Sequence, residues 1–340
     1  MGGTHRRLRN VRLRTVKGVK TAGWLMNPNY RCSVAASQKN PLPEWTAKDA
    51  AQWIRVPSKT DDKYSHGVLG MITGSKRYPG AAILGVEAAH HTGIGMVRYL
   101  GPRSVAKLVL LRRPEIVTVD GRVNAWLIGS GIDASHRSWR QKRRMLRALR
   151  SGLPIVIDAG ALDLASEVTG PAVITPHARE LARLLTSSRV PEATSRGTIE
   201  QLTEAIAADP AHWSELAADD LGVVVLLKGH TTHITEPAPA KGARFHITVT
   251  SSTTWLATAG SGDVLAGILG ALAATNSPAS ATQLAQLAAT ASFIHANVAS
   301  SVNEVTSAQI SAPIAALDLT EQLSRFIADL LNKGSLRPTK

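Results

Sequence analysis

Apolar residues come along this chain in blocks. Residues 68–74 (VLGMITG), 125–131 (AWLIGSG), 154–160 (PIVIDAG), 172–177 (AVITPH) and 222–229 (GVVVLLKG) are short runs rich in Val, Ile and Leu. None shows the two-residue alternation of a half-exposed strand. Between them lie segments with helical spacing, at residues 83–91, 137–150 and 179–185. Buried strands separated by helices predict an α/β fold with a mainly parallel central sheet covered by helices on both faces. Residues 93–100 (GIGMVRYL) read as the second strand of the first unit, 108–111 as a further apolar run, and 245–249 as an edge or hairpin strand. Residues 44–66 read as a short helix with a polar lead-in. No repeat at solenoid periods is present.

In such a sheet, ligands sit beyond the carboxyl ends of the strands. Gly74-Ser75, Gly129-Ser130-Gly131, Asp158, His177 and Lys228 all fall at that edge. The segment 253–275 (TTWLATAGSGDVLAGILGALAAT) adds a helix that is small and aliphatic all round, expected to be buried on every side and to begin at Gly260-Ser261-Gly262-Asp263. A Gly-Ser-Gly turn lets backbone approach a ligand closely, and the amides of a helix N-terminus make an anion site suited to phosphate. Asp263 in that site has two readings: a helix N-cap, or a base that takes the proton of a hydroxyl as it attacks phosphorus. Lys228 is either a strand-end lysine reaching for water or, with Gly229, His230, Thr231 and Thr232, part of a turn that cups a nucleotide. His177 and Asp158 each have a plain helix-capping alternative. Neither GxxxxGK[ST] nor GxGxxG occurs, so a nucleotide enzyme must be of another design.

Charge changes the picture less than its total suggests. The net charge is +14, yet residues 1–43 hold nine Lys or Arg and no acid, leaving only about +5 for the rest. The basic excess is therefore mostly an N-terminal extension, residues 1–45, expected to be disordered, with Met26 an alternative start of translation. A transit peptide is the lesser reading, and no apolar secretory core is present. The basic segment 137–150 carries Trp139, Met145, Leu146 and Leu149 as a one-sided apolar set, which predicts the solvated face of a surface helix rather than a nucleic-acid reader. A single cysteine, Cys32, excludes an internal disulfide and points to the cytoplasm. Residues 264–303 lack formal charge, but Asn276-Ser277-Pro278 divides them into one helix too short and one too polar to span a membrane. Both are expected as core helices.

Five segments in this order carry a resemblance: residues 63–100 (KYSHGVLGMITGSKRYPGAAILGVEAAHHTGIGMVRYL), PIVIDAGALDL, VITPHARELARLL, VVLLKGHTTHI and WLATAGSGDVLAGILGALAA. Together they resemble the ADP/ATP-dependent NAD(P)H-hydrate dehydratases, which are similar to the C-terminal domain of the bifunctional nicotinamide-nucleotide repair protein and belong to the ribokinase-like superfamily. The combination of YPGAA, TPHxxE, LKGxT and ATxGSGD is far more specific than any one part. The match covers residues 46–332; residues 333–340 read as a loose tail, and no attached epimerase domain is expected. The resemblance implies a ribokinase-like three-layer α/β/α sandwich. It implies ADP or ATP as phosphoryl donor, Mg²⁺ carried largely by phosphates and water, and the (6S)-hydrate of NADH or NADPH as substrate. It also suggests a homotetramer, with no nucleic-acid or membrane partner. By motif position, Asp263 is the implied base, and Ala81, Gly131, His177 and Asp263 the implied hydrate contacts. Lys228, Gly229, His230, Thr231, Thr232, Gly260, Ser261 and Gly262 are the implied nucleotide contacts. Two positions depart from the family pattern: Asp133 replaces the last glycine of GPGLG, and Gly160 falls within DAGALD where DADALN is common. The rival within the superfamily is a small-molecule kinase acting on a vitamin alcohol; a nucleic-acid-associated protein is the rival from outside it.

Overall fold

The computed structural model describes residues 41–303 and 313–335. The N-terminal extension up to residue 40 and the tail beyond residue 335, both singled out in the sequence, lie outside the described residues. An eight-stranded sheet forms the middle layer, in the order β2-β1-β3-β4-β5-β6-β7-β8. Its strands are β1 (Val68–Ile72), β2 (Met96–Tyr99), β3 (Ala125–Ile128), β4 (Ile155–Ile157), β5 (Ala172–Ile174), β6 (Val224–Leu227), β7 (Thr231–Thr235) and β8 (His246–Thr250). The first six in this order are parallel, and β6-β7-β8 continue the sheet antiparallel.

The unalternating strands are unalternating because both of their faces are buried. Leu69, Met71, Leu127, Val156, Val173 and Val224 point into one core, while Ile72, Ile128, Ile155, Ile157, Ile174 and Val225 point into the other. The first core is closed by α1 (Ala47–Ala51), α2 (Gly80–His91), α3 (Arg103–Arg112), α9 (Ser261–Asn276), α10 (Ala281–Asn303) and α11 (Ala316–Ser335). The second is closed by α4 (Trp139–Leu149), two helical turns over Ala159–Glu167, α5 (Ala178–Ser187), α6 (Pro191–Thr194), α7 (Ile199–Ala208) and α8 (Pro210–Leu221). The result is a three-layer α/β/α sandwich.

Every residue of α9 from Val264 to Thr275 is buried, as its all-round apolar sequence predicts. None of the described helices is long and apolar enough to cross a membrane. Several details depart from the sequence reading. Residues 108–111 lie within α3, where Val105 and Val109 face the core. Trp139 is 66% exposed and does not belong to the buried stripe of α4, which consists of Met145, Ala148 and Leu149. The helix α11 continues to Ser335, past the point where the polar tail was expected to begin. Pro43 and Trp45 already belong to the folded unit: Thr248 N donates to the Pro43 carbonyl at 3.0 Å, and the Trp45 indole donates to Thr290 Oγ1 at 3.2 Å.

Candidate active site

The site is assembled where α9 starts. Gly260 takes φ +89°, a left-handed conformation that a side chain would strain, and ends the incoming loop without any side-chain cap. The first helical bond runs from Val264 N to Gly260 O at 3.1 Å, and Ser261 N reaches only Thr258 O at 3.4 Å. The amides of Gly262 and Asp263 are thus left for a ligand. Asp263 is not the cap that its plain reading required; that place is Gly260's. Burial pushes its carboxyl up to about 7, with the Asp158 charge adding to the effect and the Lys228 ammonium opposing it. A carboxyl poised near neutrality, at the positive end of a buried helix, is equipped to exchange a proton with a bound hydroxyl.

The strand ends bring the remaining charges to Asp263. Asp158, at the end of β4, is buried; it accepts Ser130 Oγ at 2.9 Å, Thr175 Oγ1 at 2.7 Å and Lys228 Nζ at 3.1 Å. Ser130 comes from the end of β3, Thr175 from β5 and Lys228 from β6, so four adjacent parallel strands each supply one member. Glu180, in the first turn of α5, stands 3.8 Å from the same ammonium. Burial alone would push Lys228 down, but Asp158, Glu180 and Asp263 outweigh it and hold the lysine above its ordinary value. Lys228 therefore reaches inward across the strand ends. A methyl group on Gly262 would stand 3.5 Å from its nitrogen, so the cation lies against the anion-binding turn itself.

Beside this turn opens a cavity of about 620 Å³, lined by Lys228, Gly229, His230, Thr232, Ser261 and Gly262, with His177 at its lip and Leu256, Leu265 and His295 as an inner wall. Most of the expected nucleotide contacts are gathered here. Thr231 instead meets Thr250 Oγ1 at 3.3 Å across the β7–β8 pair, because Thr231 and Thr232 open strand β7 and only residues 228–230 turn. Outside the lining of that cavity, Ala81 at the start of α2 and Gly131 after β3 lie against each other. Gly131 has φ +65°, and a Cβ there would run into the Ala81 methyl and meet the Tyr78 carbonyl at 2.9 Å. His177 is the N-cap of α5: its Nδ1 accepts Glu180 N at 3.3 Å, and its own N–H donates to Glu180 Oε2 at 2.9 Å. It sits beside Lys228, not beside Gly131.

The family model for NAD(P)H-hydrate dehydratase matches residues 69–322. The chain belongs to the NAD(P)H-hydrate dehydratase family. It is 38% identical over 268 residues to the bifunctional NAD(P)H-hydrate repair enzyme Nnr of Mycobacterium leprae, covering 74% of this chain and 49% of that protein. The ADP-dependent (S)-NAD(P)H-hydrate dehydratase of Neisseria meningitidis is 29% identical over 298 residues, covering 83% of this chain and 91% of the relative. The chain thus spans about half the length of the bifunctional M. leprae relative and nearly all of the dehydratase relative. Its fold is that of the ADP/ATP-dependent NAD(P)H-hydrate dehydratase of Bacillus subtilis, co-crystallised with ATP/Mg²⁺: TM-score 0.69 at 21% identity, over 86% of this chain and all of that one.

The two departures of this dehydratase-family chain from its family pattern face each other. A Cβ on Gly160 would strike the Ile132 carbonyl, so an aspartate there is sterically incompatible with this loop. Asp133 turns its carboxylate onto Ser135 N at 2.9 Å, Ser135 Oγ at 2.6 Å and His136 Nδ1 at 2.9 Å, and the Ser135 bonds hold it down at about 2. Together the two residues wall a further cavity of about 500 Å³.

Two members of the site, Thr175 and His295, escaped the sequence reading, and Ser130 was placed at the ligand edge without its partner. Thr175 carries a hydroxyl beside a strand end, which was a usable signal. His295 gave none. It lies deep in α10, 34 residues from Ser261, yet its Nε2 meets Ser261 Oγ at 3.0 Å behind the anion turn. Burial pushes it down to about 4, so the imidazole is neutral at pH 7.

Proposed function

We propose that the chain catalyses the ADP- or ATP-dependent dehydration of the (6S)-hydrate of NADH or NADPH, returning the damaged cofactor to NAD(P)H. The observation that carries this reading, within the family, is an uncapped Asp263 near neutrality where free amides and Lys228 converge. Asp263 takes the proton of the ring hydroxyl, whose oxygen bonds to the terminal phosphorus while the bond from that phosphorus to the nucleotide breaks. AMP leaves from ADP, or ADP from ATP. The amides of Gly262 and Asp263, with Lys228, stabilise the negative charge passing between these oxygens. Hydroxide is a poor leaving group and phosphate a good one. The C–O bond then breaks, the neighbouring ring carbon gives up a proton, and the double bond returns with release of inorganic phosphate.

Asp158 acts on Lys228. It fixes the ammonium at the turn and, added to burial, raises the proton affinity of Asp263, so the base is stronger than an ordinary carboxylate yet still half ionised at neutral pH. Ala81 and Gly131 form a flat, side-chain-poor surface suited to the nicotinamide ring, with His177 between ring and nucleotide. The described residues hold no group of three His, Cys, Asp or Glu side chains able to cage a metal. Asp158 and Glu180, the carboxylates beside Lys228, would help hold a Mg²⁺ delivered on the nucleotide phosphates, where it would neutralise phosphate charge. A cytoplasmic homotetramer with small-molecule partners completes the proposal, and sedimentation equilibrium reads the tetramer directly.

The test is to incubate the protein with NADPH hydrate and either ADP or ATP. The expected result is return of the reduced-nicotinamide absorbance with one phosphate released per NADPH. A stable phosphate ester would identify a vitamin-alcohol-type kinase, and no reaction with either donor would refute the proposal.

A further inference from the structure

A separate cleft of about 540 Å³ opens at the ends of β1 and β2, between the loop after β1, the start of α3 and the start of α4. Six cations line it: Lys76, Arg77, Arg103, Arg137, Arg140 and Arg144. The only acid on its wall is Asp133, whose carboxylate is already taken by Ser135, His136 and, at 3.7 Å, Arg77. Arg137 is paired with Asp163. Arg144 is fixed by donating to the Leu100 carbonyl at 2.5 Å, and Arg140 lies over the Trp139 ring. Among the described residues, Lys76, Arg103, Arg140 and Arg144 have no acidic partner. The floor is apolar, made by Ile72, Leu100 and Pro102.

Four of these cations have no acidic partner among the described residues, and they crowd over a hydrophobic floor. That combination suits an anion attached to an apolar body: phosphates carried on a sugar and base. The cleft is also built from the loops that flank the Ala81–Gly131 contact. Ile132 and Asp133, on its wall, directly follow Gly131, and Ser75 and Arg77 belong to the loop that brings the Tyr78 carbonyl to Gly131.

We propose that this cleft is the subsite for the adenosine half of the dinucleotide hydrate, with its phosphates held by Arg103, Arg140 and Arg144 and its sugar or base against Ile72 and Leu100. This rests on the function proposed above. A ring seated between Asp263 and Gly131 leads its diphosphate over residues 131–133 into the cleft. The nucleotide donor uses the other cavity, beyond Lys228, so the two adenosine-bearing ligands occupy opposite sides of Asp263. The basic face of α4, expected from sequence to be merely solvated, thereby gains a ligand at its N-terminal end.

The test compares two substrates: NADPH hydrate, and the hydrate of reduced nicotinamide mononucleotide, which has the same ring and lacks the adenosine half. In the Arg103→Ala/Arg140→Ala variant, kcat/KM for NADPH hydrate should fall tenfold or more, through KM, with less than twofold change for the truncated hydrate. Lys142→Ala/Arg143→Ala removes the same charge from α4 outside the cleft and should lower neither value more than twofold. Equal losses for both hydrates, or equal losses in both double variants, would overturn the subsite. Calorimetric titration with NADPH itself separates this proposal from the assigned reaction. The Arg103→Ala/Arg140→Ala change should weaken NADPH at least tenfold even if no hydrate is turned over, and unchanged NADPH affinity would overturn the subsite whatever the reaction.

Discussion

Replacing Asp263 by asparagine should stabilise the protein at alkaline pH while abolishing its activity. The folded carboxyl has its pKa at about 7 against 3.8 for an unperturbed aspartate. Between those values the folded chain keeps a proton that the unfolded chain has lost, so stability falls as pH rises through the window and levels off above it. About three pH units at about 1.4 kcal/mol each give a penalty of order 4 kcal/mol at pH 8 and almost none at pH 4. The ionised carboxylate regains some of this from the α9 dipole, but a first-turn charge is worth only about 0.3–1 kcal/mol, so burial wins. Asp263→Asn removes the penalty and keeps the shape of the turn. Urea unfolding at fixed protein concentration, at pH 4, 6 and 8, should show wild type and variant nearly equal at pH 4 and the variant ahead by several kcal/mol at pH 8. A difference independent of pH, or a more stable wild type at pH 8, would show that Asp263 is not a buried carboxyl and would refute the electrostatic reasoning.

Three further substitutions probe the surroundings. Lys228→Met leaves Asp158 buried with hydroxyl donors but no cation; it should cost about 3 kcal/mol in urea unfolding at pH 7 and raise the nucleotide KM more than that for the hydrate. Gly131→Val places a β-branched residue at φ +65° against Ala81; a loss of about 1–3 kcal/mol, with a higher KM for the hydrate and an unchanged one for the nucleotide, is expected from melting curves and steady-state kinetics. Ser261→Ala removes the hydroxyl that meets His295 Nε2 at 3.0 Å, which should lower stability by about 1–3 kcal/mol and weaken nucleotide binding measured by calorimetry.

The architecture was legible because the chain states it repeatedly. Five unalternating runs at residues 68–74, 125–131, 154–160, 172–177 and 222–229 could only be strands buried on both sides, and the structure puts their successive residues into two separate cores. Strand β7 was not legible: Thr231-Thr232-His233-Ile234-Thr235 is polar at three of its first four positions, and following Lys228-Gly229-His230 it reads as more turn. Its alternation shows only once β8 lies opposite it. The same logic divides the site. Asp263, Lys228 and Gly131 announced themselves through glycine turns and strand ends, which are local signals. The Asp158 network and the Ser261–His295 contact arise from neighbours 17 to 70 residues apart, and no spacing rule encodes such distances. Trp139 fits the apolar face of α4 by helical period but stands outside the core, 66% exposed at the first position of that helix with Arg140 over its ring.

The central claim is that Asp263 works as a base whose carboxyl titrates near neutrality, and the pH dependence of kcat/KM for NADPH hydrate at saturating nucleotide tests it most directly. The account predicts a tenfold rise per pH unit on the acid side, bending to a plateau at about pH 7, with no measurable turnover in Asp263→Asn at any pH. A profile already flat from pH 5 upward, or turnover by Asp263→Asn that follows the wild-type curve, would contradict it.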